Sequence, residues 1–129
     1  MSFHEQSTYI TAESAEALDQ FSLVKYDTAG KVVKCTATTD IPCGVVQVAC
    51  ESGEQVSICV NGLTNLIAGG VITAGTDNYL IPTTAGKVIK FTSGANVNIV
   101  ARFLPYQANL VSSNGEVIRG FFAPNIGNA

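Results

Sequence analysis

From Phe21 onward the chain is a succession of short runs rich in Val, Ile, Thr and aromatic residues, cut by Gly, Asn and Pro. The cuts recur about every eight to twelve residues, the rhythm of an all-β domain. This pattern restricts the fold more than any other feature, because an amphipathic helix needs a sustained 3.6-residue apolar period that is nearly absent here. One stretch, Thr11–Asp19, carries helix-favouring Ala, Glu and Leu. It reads either as a short helix or as one turn before a strand. The expected strands are Ser22–Tyr26, Val32–Thr36, Val45–Ala49, Gln55–Val60, Leu63–Ile67, Tyr79–Ile81, Val88–Phe91, Val97–Leu104 and Val117–Phe122. In Glu54–Val60 the apolar Val56, Ile58 and Val60 alternate onto one face. Asn61-Gly62 stands between two such runs, where it predicts a two-residue hairpin turn with φ > 0 at both positions. Pro42, Pro82, Pro105 and Pro124 fall at or beside run ends, where a missing N–H is harmless.

One repeat is visible. Thr28–Thr36 reads TAGKVVKCT and Thr84–Thr92 reads TAGKVIKFT, seven identities in nine at an offset of 56. Two equivalent hairpins, each with a glycine at a positive-φ turn position, account for it. Two copies are too few for a solenoid. The expected fold is therefore all-β: a single compact antiparallel β-sandwich or barrel of about eight to nine short strands, with pseudo-symmetry and an extended N-terminal arm. The division is residues 1–14 as the arm and 15–129 as the β domain.

At 129 residues the chain is long enough for one domain. Charged residues make up only 13%, against about 25% in an average soluble domain. The polar exterior must instead come from 12 Thr, 9 Ser, 9 Asn and 12 Gly. Seven Lys and Arg, scattered singly in a chain of net charge −3, cannot form the basic stripe that nucleic acid or an anionic membrane requires. No apolar run approaches the roughly 18 residues of a spanning helix. Met1–Ile10 lacks a basic segment followed by an apolar one, so no secretory signal is expected, and the chain is expected to work where it is made or in something assembled there.

Cys35, Cys43, Cys50 and Cys59 include no CxxC pair, and the single histidine, His4, is remote in sequence. Small buried thiols fit this spacing best; a zinc site and a disulfide framework are the alternatives. His4 is the one imidazole base available to a nucleophile, and it lies in a polar terminal segment. Glu13/Glu16 and Glu51/Glu54 read as solvated pairs, and no phosphate-binding glycine motif occurs. No enzyme, cofactor or metal site is expected.

Aromatic residues are more telling. Phe121 and Phe122 are adjacent in a strand-like run, so they point to opposite faces. Phe3 and Tyr9 stand in an otherwise polar N-terminal segment. These four form the candidate partner interface, because aromatics are enriched and charges depleted in interface cores. The segment 1–14 reads as a partner-binding arm or, alternatively, as a first strand with Tyr9 and Ala12 inward.

A family resemblance joins these pieces. The order Phe21–Tyr26, Ala29-Gly30-Lys31-Val32, Ile41-Pro42-Cys43-Gly44-Val45-Val46-Gln47, Gly53-Glu54-Gln55-Val56, Val60-Asn61-Gly62 and Ala68–Gly75 (AGGVITAG) resembles the capsid decoration, or cement, proteins of tailed bacteriophages. The resemblance covers about residues 20–103 and leaves out the terminal arms. It implies a non-enzymatic virion protein, assembled in the host cytoplasm, that binds and stabilises the outer surface of an icosahedral capsid. The implied partners are the major capsid protein and further copies of the chain in a homotrimer. A phage tail or baseplate-associated domain, or a host-surface-binding β domain, is the alternative.

Overall fold

The β-branched runs do form strands. The computed structural model describes residues 7–94, 97–105 and 111–128, with 124–128 described by backbone alone. Eleven strands occur among them: β1 (Thr8–Glu13), β2 (Leu23–Tyr26), β3 (Val32–Lys34), β4 (Gly44–Val46), β5 (Gln55–Ile67), β6 (Ile72–Thr73), β7 (Tyr79–Pro82), β8 (Val88–Lys90), β9 (Asn98–Phe103), β10 (Val111–Ser112) and β11 (Val117–Asn128). Nine of these make one curled antiparallel sheet, a half-barrel, in the order β3-β2-β4-β5-β11-β9-β7-β8 with β1 also paired to β5. Strands β10 and β6 form a small second ladder. The fold is all-β, as expected from the punctuation of the sequence.

Two local expectations fail for physical reasons. Thr11–Asp19 contains no helix: Thr11, Ala12 and Glu13 pair with Ser57, Val56 and Gln55 in the β1–β5 ladder. Nine residues gain little as an isolated helix, whereas this pairing also buries Ala12. Of the segment expected as an arm, residues 1–6 lie outside those described and Thr8–Glu13 form β1. Ala12 points inward and Tyr9 outward, 52% exposed.

Nor does Asn61-Gly62 turn the chain. The two runs around it form the single 13-residue strand β5. Gly62 has φ +125, and a Cβ there would lie 2.6 Å from the Ser7 Cα. The glycine serves a close backbone approach inside a strand. At Gly62 β5 changes partner: Gln55–Asn61 run along β1, while Gly62–Ile67 run along β11.

The repeat seen in the sequence is the visible part of a larger one. Val24, Lys25 and Tyr26 pair with Lys34, Val33 and Val32, just as Leu80, Ile81 and Pro82 pair with Lys90, Ile89 and Val88. Asp27 N–H donates to Lys31 O at 2.7 Å, and Thr83 N–H to Lys87 O at 2.9 Å. Ser14 bridges Val32 in parallel, and Ala68 bridges Val88 likewise. The Leu18–Cys50 bridge corresponds to the Ile72–Ser112 pair of the small ladder. Leu23–Val45–Cys59 run across β2, β4 and β5 as Tyr79–Arg102–Phe121 run across β7, β9 and β11. The domain is thus two equivalent five-stranded units: β1, β2, β3, β4 and the first half of β5, then the second half of β5, β7, β8, β9 and β11. Strand β5 belongs to both.

Each unit has its own inner face. Ala12, Leu18, Val24, Val32, Val46 and Val56 are buried in one cluster. Leu66, Ile72, Leu80, Val88, Phe103 and Ile118, their counterparts, are buried in the other. A fully buried Val, Leu or Ile contributes roughly 1.5–3 kcal/mol, so these paired sets are the main source of stability.

Candidate interaction surface

Directly opposed residues on neighbouring strands share a sheet face. On the outer face of the second unit, Leu63 of β5 opposes Phe121 of β11, Phe121 opposes Arg102 of β9, and Arg102 opposes Tyr79 of β7. Phe91 continues the row, its N–H donating to Tyr79 O at 2.9 Å. Leu63, Phe91 and Phe121 are half-buried, Arg102 is exposed, and Tyr79 is 44% exposed. Beside this row Ile67 opposes Val117, an exposed residue, and Asn65 opposes Arg119. The Arg119 guanidinium is held by the carbonyls of Leu104 (3.1 Å) and Pro105 (3.4 Å). The result is a broad aromatic and aliphatic stripe with an arginine in its middle, a composition suited to an interface core.

The four aromatics singled out in the sequence are separated by the fold. Phe121 lies in this row. Tyr9 lies on β1, opposite Cys59. Phe122 is fully buried in the larger core cluster, so it is a core side chain that no partner can reach. Phe3 lies outside the described residues. Tyr79 and Phe91 were missed because Tyr79 opens a four-residue strand and Phe91 follows a three-residue one, each too short to reveal which side faces out. The alternation Val117, Arg119, Phe121 against Ile118, Gly120, Phe122 did carry the signal for β11.

The cysteines and the Asp40 network lie in the first unit. The four cysteines are free thiols. Burial pushes Cys35 up to about 12, helped by the Asp40 charge, and pushes Cys43 up to about 11; neither is a nucleophile at neutral pH. Burial alone would raise Asp40, but hydrogen bonds from Thr36 N–H, Lys25 Nζ and Ala37 N–H outweigh it and hold the carboxyl below its ordinary range. Its Oδ1 lies 3.0 Å from Lys25 Nζ, and its Oδ2 accepts from Thr36 N–H at 2.7 Å. This network closes the turn after β3. Among the described residues no three His, Cys, Asp or Glu side chains are grouped to hold a metal ion, and no helix is long and apolar enough to cross a membrane.

No protein-family model matches this chain, and no curated protein matches it. Among solved structures, the crystal structure of the head fiber gp8.5 N base in bacteriophage phi29 is similar, with a TM-score of 0.67 at 14% sequence identity. The superposition covers 91% of this chain and 94% of that one. The likeness is therefore one of fold, and it spans both units rather than a single hairpin or sheet.

Proposed function

We propose that this chain is a structural virion protein of a tailed phage, carried on the outer surface of the head, where it binds the major capsid protein and stabilises the shell. The observation that carries this reading is the fold shared with a phage head fiber base along nearly the whole of both chains. The sequence resemblance to capsid decoration proteins supports it independently. So does the low-charge exterior of Thr, Ser and Asn. In this role the protein is non-enzymatic and self-associates, with a homotrimer as the expected form.

Co-sedimentation tests the reading. Purified protein is mixed with cognate heads stripped of their surface proteins, and the pelleted fraction is measured against protein concentration. Saturable binding at a fixed ratio to the major capsid protein, with heads that then resist heat or low salt better, is the expected result. Failure to bind heads, together with binding to tails, baseplates or host-cell glycans, would establish the alternative of a tail-associated or host-binding domain.

A further inference from the structure

Strand β1 has an open edge. At its end, Ser14 faces β5: its N–H donates to Glu54 O at 2.9 Å, and its carbonyl accepts from Gly53 N–H at 3.0 Å. Ala15 faces the other way, its N–H donating to Val32 O at 3.0 Å. Backbone groups alternate in direction along a strand, so Ile10 and Ala12 also face β5, while Tyr9 and Thr11 face outward. Strand β3 meets that outer edge only at the far end of β1, through the parallel Ser14–Val32 bridge. Among the described residues, no hydrogen bond takes the outward N–H and C=O of Tyr9 or Thr11, and β1 pairs with no strand but β5. The side chains are as open as the edge: Thr8, Tyr9, Ile10 and Thr11 are all exposed, on both faces of the strand. Sheet edges are commonly blunted by a charged residue or a proline; Thr8–Ala12 contains neither.

We propose that β1 of a second copy of this chain pairs antiparallel with this edge, about a twofold axis at Ile10. In that register Tyr9 faces the partner's Thr11, and Thr11 faces the partner's Tyr9. The outward groups of both copies are then satisfied by two hydrogen-bonded pairs of residues. Ile10 lies against the partner's Ile10, and each Tyr9 beside a β-branched threonine, pairings that favour a sheet. The occupant is a second copy because the edge complements itself in bonding pattern and in charge. In a chain of net charge −3, this neutral segment lets two copies meet without repulsion. The nearest ionised group, Glu13, falls opposite the partner's uncharged Ser7 and is already held by Lys31 Nζ at 3.3 Å. Ser7 is drawn toward β5, its Oγ donating to Leu63 O at 2.9 Å, so the chain entering the partner's β1 turns away before it meets β3. Such a contact is isologous and closes on two chains. It differs from the threefold association expected of a homotrimer, and where both form it joins one trimer to the next. The inference goes beyond the function proposed above and does not depend on a capsid.

Sedimentation velocity tests it. With rising concentration the parent should form a species of twice the mass of its smallest one, whether that is a single 13.5 kDa chain or a trimer. Thr11→Pro removes an N–H that no bond among the described residues uses, at an edge position that tolerates proline. It deletes one intermolecular bond per chain and should weaken doubling about tenfold or more. Ile10→Lys and Ile10→Glu each set like charges directly opposite one another, so neither variant alone should double. Mixed one to one they should double again, because a lysine then lies opposite a glutamate. Melting curves verify that the variants fold, and the exposed Ile10 pair carries the test if Thr11→Pro does not. A parent that never doubles, variants that double like the parent, or a mixture that stays undoubled overturns the inference. A parent that binds heads without doubling would overturn it while leaving the proposed function standing.

Discussion

Glu54 and Glu116 perform the same act in the two units: each carboxylate reaches back to the N–H three residues earlier, at 2.7 Å, to Glu51 and to Ser113. Each closes a tight turn whose third residue is a positive-φ glycine, Gly53 or Gly115. Glu54→Ala and Glu116→Ala should therefore cost the same, about 0.5–1 kcal/mol for a lost hydrogen bond at an exposed turn. Urea unfolding of the two variants checks this. A difference between them above about 1 kcal/mol would mean that the turns are not equivalent.

Gly62→Val should be worse than an ordinary strand substitution. The residue has φ +125 and its Cβ would press on the Ser7 backbone, so strain of roughly 1–3 kcal/mol is expected. Relief comes most easily by shifting the start of β1, where Ser7 Oγ donates to Leu63 O at 2.9 Å. Amide hydrogen exchange in Thr8–Glu13 should accelerate, while that of β9 stays unchanged. A variant as stable as the parent refutes the close approach.

Asp40 supplies a pH test. Its folded value lies below the ordinary 3.8, so the unfolded chain takes up a proton more readily than the folded one. The stability it contributes is fully present above about pH 4 and is lost as pH falls through the folded value. Asp40→Asn should cost about 1.5–3 kcal/mol at pH 7, the range for hydrogen bonds to a charged group. That deficit should shrink in acid. A deficit that is constant from pH 7 to pH 2.5 would show that charge is not what holds the turn.

Thiol chemistry should follow burial. With a disulfide reagent at pH 8, Cys35 and Cys59, both buried, should react only as the protein unfolds, and half-buried Cys50 should react first. Chelator and reductant should leave the unfolding midpoint unmoved, since all four are free thiols. A fall of several kcal/mol with either reagent, the scale of a lost metal or disulfide, would overturn this.

What the sequence made legible was local. Val56, Ile58 and Val60 alternate in the text, although only the first two are fully enclosed. The Thr-Ala-Gly-Lys-Val repeat announced two hairpins, and both exist in the same register. Asn61-Gly62 misled because a glycine with positive φ signals a turn only when the chain reverses. Here β11 and β1 hold the strand straight through it, a cross-chain effect invisible at short range. The full duplication was hidden for a similar reason: counterparts such as Ser14 and Ala68, or Cys59 and Phe121, share a backbone position and little side-chain chemistry. That Phe121 and Phe122 face opposite ways was legible, but not which of them is buried, and the row that Phe121 completes draws on four strands distant in sequence.

Strand β5 carries a consequence for how the chain can be divided. Because Gln55–Ile67 is one unbroken segment serving as the last strand of one unit and the first of the next, neither copy can be lost by a clean deletion. Cutting at Asn61 leaves the first half with no cover over Leu23, Val45 and Cys59, and strips the second half of the strand that pairs with Val117–Phe122. Two units spliced through a shared strand are locked together: substitutions can change either one alone, as the difference between Cys59 and Phe121 shows, but no trimming of the chain yields a single complete unit.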